Sequence, residues 1–182
     1  MPDPRMTNAR GLGIRETMNF PLNAFNSDPE RHAHFMREAL RQAEKALEHD
    51  EVPIGVVIVH KNRVIAKAYN QTNLLKDPTA HAEMIAITQA AEHLQHDRLL
   101  ETEIYSTIEP CVMCIGALIH ARVSTLVYGA PNEKYGACGS VIDVLKAGCW
   151  NHAIRVERGV LAAEAAALMQ AFFKAKRSKL VE

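Results

Sequence analysis

The sequence predicts an α/β fold, a three-layer α/β/α sandwich around a central mixed sheet. Three observations predict it. The runs "IGVVIV" (54–59) and "STLVYG" (124–129) are short and mostly apolar, as strands covered on both faces are. Segments with helical spacing alternate with those strands, which calls for helices on both sides of one sheet. No internal repeat divides the 182 residues, a length that one core can organise.

Residues 1–26 mix Pro, Gly, Asn and Arg without periodicity and read as a mobile tail, with residues 27–182 as a single domain. Ser27 and Glu30 fit a capping box with Pro29 in the first turn, and Phe35, Met36, Ala39, Leu40, Ala43, Ala46 and Leu47 recur at helical spacing. The run 54–59 then forms a hairpin with "RVIAKAYN" (63–70) across His60, Lys61 and Asn62. A second helix is expected over 77–94, capped by Asp77 or Thr79. "EIYST" (103–107) is a strand and "CVMCIGALIHA" (111–121) a helix opened by Pro110. Strand 124–129, a loop over 130–140, a short helix at "VIDVLKA", a last strand over 152–159 and a closing helix over 161–177 complete the chain.

Composition narrows the class of function. Lys plus Arg and Asp plus Glu number 21 each, which argues against a surface coated with basic patches for non-specific nucleic-acid binding. The "KAKRSK" ending (Lys174, Lys176, Arg177, Lys179) reads either as a solvated helix end that suits the negative helix pole or as an RNA contact. No apolar run approaches the roughly 20 residues of a membrane span, and the N-terminal stretch has no apolar leader core. A cytoplasmic location is therefore expected. Cys111, Cys114, Cys138 and Cys149 are expected to be free thiols.

The chemistry concentrates in "EPCVMC" (109–114) and "TAHAEM" (79–84). Cys111 and Cys114 open a helix, share nearly one face, and gain thiolate character from the helix N-terminus. Alone, the pair could be a redox couple, half of a structural zinc site, or part of a catalytic centre. Cys138 and Cys149, eleven residues apart, make a poor second pair. His81 adds a third ligand type, and Glu83 a carboxylate that would not ligate. The two can face one pocket only if His81 sits at the helix mouth. Three ligands suit a catalytic zinc site, which keeps one position open, and Cys₂His softness favours zinc.

The H-x-E…P-C-x-x-C pattern is that of zinc deaminases. Together with "VPIGVVIV", "YNQTN", "DPTAHAEM", "TIEPCVMC", "GALIHARV", "VYGA" and "VIDVL", the chain resembles the bacterial tRNA-specific adenosine deaminases of the cytidine/deoxycytidylate deaminase superfamily, from about Phe35 to Arg177. That resemblance implies the cytidine deaminase-like fold and a homodimer. It implies zinc-dependent hydrolytic deamination of adenosine to inosine at the wobble position, with the tRNA anticodon arm as partner and one Zn2+ per subunit. It assigns His81, Cys111 and Cys114 to zinc and Glu83 to proton transfer. It assigns Asn70 and Ile54 to the base, beside which a strand-end turn Asn and a core Ile are the plain structural readings. Asn132 falls beside the loop expected to contact RNA. Many relatives carry Asp there, and Pro131 and Tyr135 are also unusual. A free-base or nucleotide deaminase of the guanine or cytosine type on the same fold is the nearest alternative. A non-catalytic, zinc-stabilised RNA-binding protein is an alternative of another class. His120 and His152 are expected to be structural hydrogen-bonding groups, and Phe172 and Phe173 to belong to the core.

Overall fold

The computed structural model describes residues 28–179; the expected N-terminal tail and Ser27 lie outside the described residues. The elements run α1 (Pro29–Glu48), β1 (Gly55–His60), β2 (Arg63–Tyr69), α2 (Thr72–Leu75), α3 (Ala82–Leu94), β3 (Thr102–Ile108), α4 (Val112–His120), β4 (Thr125–Ala130), a 3-10 turn (Val144–Ala147), β5 (Arg155–Arg158) and α5 (Ala162–Lys179). The five strands make one mixed sheet in the order β2-β1-β3-β4-β5. β1 pairs antiparallel with β2 and β3, while β3-β4 and β4-β5 are parallel.

Side-chain alternation on the strands explains the layers. On β1, Val57 and Val59 face α1, where they pack with Phe35, Met36, Ala39, Tyr105 and Val127. Val56 and Ile58 face the other way, into the core shared with Ala82, Ala86 and Ala90 of α3 and Ile115 and Leu118 of α4. α5 joins the α1 side through Ala165 and Met169 against Ile108 and Ala130. The sheet is thus covered on both faces, which is why β1 and β4 read as mostly apolar runs. Gly55 is required by the closeness of α1 to β1: a Cβ there would sit 2.0 Å from the Ala39 carbonyl oxygen. Lys61 and Asn62, both at positive φ (47° and 63°), close the β1-β2 hairpin in the primed-turn manner that fits strand twist.

Four local expectations are corrected. The α1 cap is Asp28, whose carboxylate accepts from the Glu30 amide, one residue beyond the expected Ser27. α3 begins at Ala82, later than expected, because Asp77 spends its carboxylate on the amide and hydroxyl of Thr79 in a separate turn, and the chain reaches helical geometry only after His81. His120 is exposed at the end of α4 and makes no structural hydrogen bond among the described residues, whereas His152 Nε2 meets the Val123 carbonyl oxygen at 2.7 Å. Phe172 is buried but Phe173 is 43% exposed, since consecutive helical residues point about 100° apart.

A buried polar network lies between α1 and β3. Arg31 grips Glu103 with two bonds of 2.8 Å, Tyr105 donates to the same carboxylate at 2.7 Å, and His32 Nδ1 lies 2.9 Å from the Tyr105 oxygen. Burial pushes the Glu103 pKa up, but the Arg31 and Tyr105 bonds more than offset it and hold the carboxyl below its ordinary value. A depressed carboxylate pKa contributes stability above the unfolded pKa and loses it as pH falls through the folded one. Arg31→Met strands the carboxylate, reverses the shift, and should cost roughly 2–3 kcal/mol at pH 7, a melting-temperature drop of about 5–10 °C. The gap from wild type should narrow as pH falls toward 4, in thermal melts across that range. A constant gap would mean the carboxylate is not the group involved.

Candidate active site

Two helix mouths meet at the C-terminal end of β3, the end of a parallel strand pair where open α/β sheets place their ligands. His81 is the N-cap of α3, with extended backbone (φ −70°, ψ 151°), and Cys111 is the N-cap of α4 (φ −77°, ψ 174°). N-cap positions favour side chains that accept hydrogen bonds from the first turn. Neither His81 nor Cys111 does so, which leaves both free to act elsewhere. Because His81 precedes the helix proper, its ring and the Glu83 side chain, two residues on, can reach one pocket. A regular helix would send them to different sides.

The three donor atoms form a nearly equilateral triangle. Cys111 Sγ lies 3.6 Å from His81 Nδ1, Cys114 Sγ 3.5 Å from the same nitrogen, and the sulfurs 3.6 Å apart. Tetrahedral zinc, with bonds of about 2.3 Å to sulfur and about 2.0–2.1 Å to nitrogen, separates such ligands by about 3.5–3.8 Å. The donor set and its spacing therefore fit a zinc ion with one corner left over. The hydrogen bond from Cys114 draws the Cys111 pKa down to about 4, and the same contact with burial pushes Cys114 up. The contact with Cys111 raises the His81 pKa despite burial of the ring.

Glu83 is 3% exposed, and its Oε2 has no hydrogen-bond partner. Burial, above all, raises the carboxyl's pKa, and the side chain lies within hydrogen-bonding reach of Cys114. A buried carboxylate oxygen left unpaired is costly, and proteins keep few of them.

Asn70 follows β2 and is 3% exposed; its backbone amide donates to the Ile54 carbonyl at 3.0 Å. The next amide, Gln71, donates to the Ala80 carbonyl at 3.0 Å, which brings Asn70 and Ile54 to the stretch that carries His81. Ile54 is half-buried against the core. Asn132 turns inward on its own loop: Oδ1 accepts from the amides of Lys134 and Tyr135, at 3.2 and 3.0 Å.

Two carboxylates that support the site stand outside the residues the sequence singled out. Glu109, 1% exposed, accepts from the amides of Asn132, Cys138 and Ser140, and so ties both ends of the 131–140 loop to the residue two before Cys111. Its burial raises the pKa, and the Ser140 side chain together with these amide bonds more than reverses the effect. The carboxylate comes so close that a Cβ on Gly136 would lie 2.5 Å from Glu109 Oε2. Glu51, fully buried, accepts from Asn70, Thr72, Asn73 and Leu74. A signal was available for Glu109, a charged residue ending an otherwise buried strand just before the cysteines. Glu51 follows the polar His49-Asp50 stretch and reads as a solvated loop.

The five-stranded sheet, with a His/Cys/Cys group that fits zinc beside a buried carboxylate, defines the class as a deaminase. The chain matches the family model of MafB19-like deaminases over residues 30–179. A relative from Streptococcus pyogenes serotype M18 (strain MGAS8232), named tRNA-specific adenosine deaminase, is 44% identical over 150 residues, 82% of this chain and 94% of its own. A solved structure from studies of A-to-I editing by tRNA:A34 deaminases is 44% identical with a TM-score of 0.72, covering 74% of this chain and 98% of that one. A guanine deaminase from Nitrosomonas europaea is 25% identical with a TM-score of 0.65, covering 77% of this chain and 83% of that one. The chain belongs to the family of the tRNA-specific adenosine deaminases. Among the described residues no helix is long and apolar enough to cross a membrane.

Proposed function

We propose that the protein deaminates adenosine to inosine at the wobble position of a tRNA anticodon by zinc-dependent hydrolysis. The observation that carries the mechanism is the unpartnered, buried Glu83 oxygen beside the triangle of His81, Cys111 and Cys114. His81, Cys111 and Cys114 would hold the zinc, which would supply Lewis acidity toward the attacking water. Glu83 takes a proton from the attacking water and delivers it to N1 of the adenine ring as C6 accepts the oxygen. A second transfer through Glu83 carries a proton to the departing amine. The balance is adenosine plus water to inosine plus ammonia. Asn70 and Ile54 contact the base in this reading, one through its amide and the other through an apolar wall.

A wobble base in a single-stranded loop splays into a pocket at small cost. The exposed Lys174 and Arg177 on α5 suit the RNA backbone; Lys176 is held by Asp50 at 2.6 Å. The reading carries with it one zinc per subunit, a cytoplasmic location and a homodimer. Exposed Val112, Val141 and Ile142 offer apolar surface of the kind a second copy would cover. The guanine-deaminase alternative draws on more distant likenesses, 25% identity to the Nitrosomonas europaea enzyme and 35% over 55% of this chain to the Bacillus subtilis one, against 44% over 74% for the tRNA:A34 deaminase. The test is inosine formation in a transcribed anticodon stem-loop, alongside ammonia release from guanine, cytosine and deoxycytidylate. Inosine from the RNA alone is expected. Turnover of a free base with none on RNA would overturn the tRNA assignment.

A further inference from the structure

Glu51 has no place in the hydrolysis, yet its carboxylate is fully buried and takes four hydrogen bonds. Oε1 accepts from the backbone amides of Asn73 and Leu74 at 2.7 and 2.8 Å. Oε2 accepts from Asn70 Nδ2 and from the Thr72 hydroxyl, both at 3.2 Å. Asn70 Nδ2 also donates to Thr72 Oγ1 at 3.2 Å. Asn70 Nδ2 thus faces the Glu51 and Thr72 oxygens, and Oδ1 is the atom without a partner among the described residues. The same carboxylate fixes the turn of chain, 70–74, that is joined to Ala80 and so to His81.

We propose that Glu51 is a positioning residue for substrate recognition: through its bond to Asn70 it sets which way that amide faces the bound base. This rests on the reading of Asn70 as a base contact. Ion pairing is not Glu51's task, since all four of its partners are uncharged. A carboxylate is suited here because it accepts on both oxygens at once, where an amide must offer a donor on one side. Glu51→Gln keeps the shape and lets Oε1 continue to accept from the Asn73 and Leu74 amides. It then sets an NH₂ against the NH₂ of Asn70, and the Asn70 side chain must turn.

The experiment is a double-mutant cycle in steady-state kinetics on an anticodon stem-loop with a wobble adenosine, with zinc content measured for every variant. Glu51→Gln should retain one zinc per chain and lose about tenfold in kcat/KM, mostly through KM. In an Asn70→Ala background the same change should cost less than about twofold, because the residue it acts through is gone. Thr72→Val provides a second route if Glu51→Gln folds poorly. It removes a shared partner of both side chains, should raise KM by about threefold, and should do nothing in the Asn70→Ala background. Equal losses in both backgrounds, a loss confined to kcat, or a loss that tracks zinc would overturn the proposal while leaving Asn70's role intact. An Asn70→Ala variant with parental kcat/KM would remove the base contact itself, and the proposal with it.

Discussion

Glu83→Gln should leave zinc content and fold unchanged while kcat falls by about 10²- to 10⁴-fold, the range general acid–base groups supply. Glu83 contributes nothing visible to stability that would justify its place. It is nearly inaccessible, its Oε2 has no partner, and burial raises its pKa, the sign of a carboxyl whose charged form is poorly solvated. A neutral amide of the same shape relieves that penalty, so the melting temperature should hold or rise. Activity down with stability level or up is a combination that a structural residue does not produce. Glu83→Ala should show the same loss of turnover with zinc retained. Parental turnover in either variant would remove Glu83 from proton transfer and revive the non-catalytic alternative.

Cys111→Ala should lose both metal and activity. The three ligand atoms stand 3.5–3.6 Å apart, and removing one leaves two donors, fewer than the three protein ligands a catalytic zinc site uses. Cys111 is also the thiol whose pKa is drawn down to about 4, the readier thiolate of the pair. Wild-type protein should bind about one equivalent of zinc and melt at a lower temperature after chelation, since metal that binds only the folded state adds to its stability. The variant should melt at the same temperature with or without chelator. Full metal occupancy in Cys111→Ala would contradict the ligand assignment.

The parts of this molecule that local sequence encodes were legible. Strands 54–59 and 124–129 could be read because burial on both faces leaves a run of apolar residues that little else produces. The ligand types could be read because cysteines three apart at a helix start and a histidine beside a glutamate form a rare combination. What stayed hidden depends on distant partners. Arg31 meets Glu103 across 72 residues, and nothing near either one announces the other. Glu51 is buried only because the turn at 70–74 brings four donors to it. The four-residue α2 is too short for any periodicity to declare it. His81 was expected near a helix start, but its cap geometry, which aims the ring at the sulfurs, depended on Asp77 closing a turn of its own.

The tie that Glu109 makes to Asn132, Cys138 and Ser140 has a consequence for how such an enzyme diversifies. With both margins of the segment anchored to a carboxylate next to the cysteines, exposed Glu133, Lys134 and Tyr135 in between behave as an exchangeable cassette. Their identities can drift while the anchored margins, and the cysteine helix a few residues away, inherit none of the change.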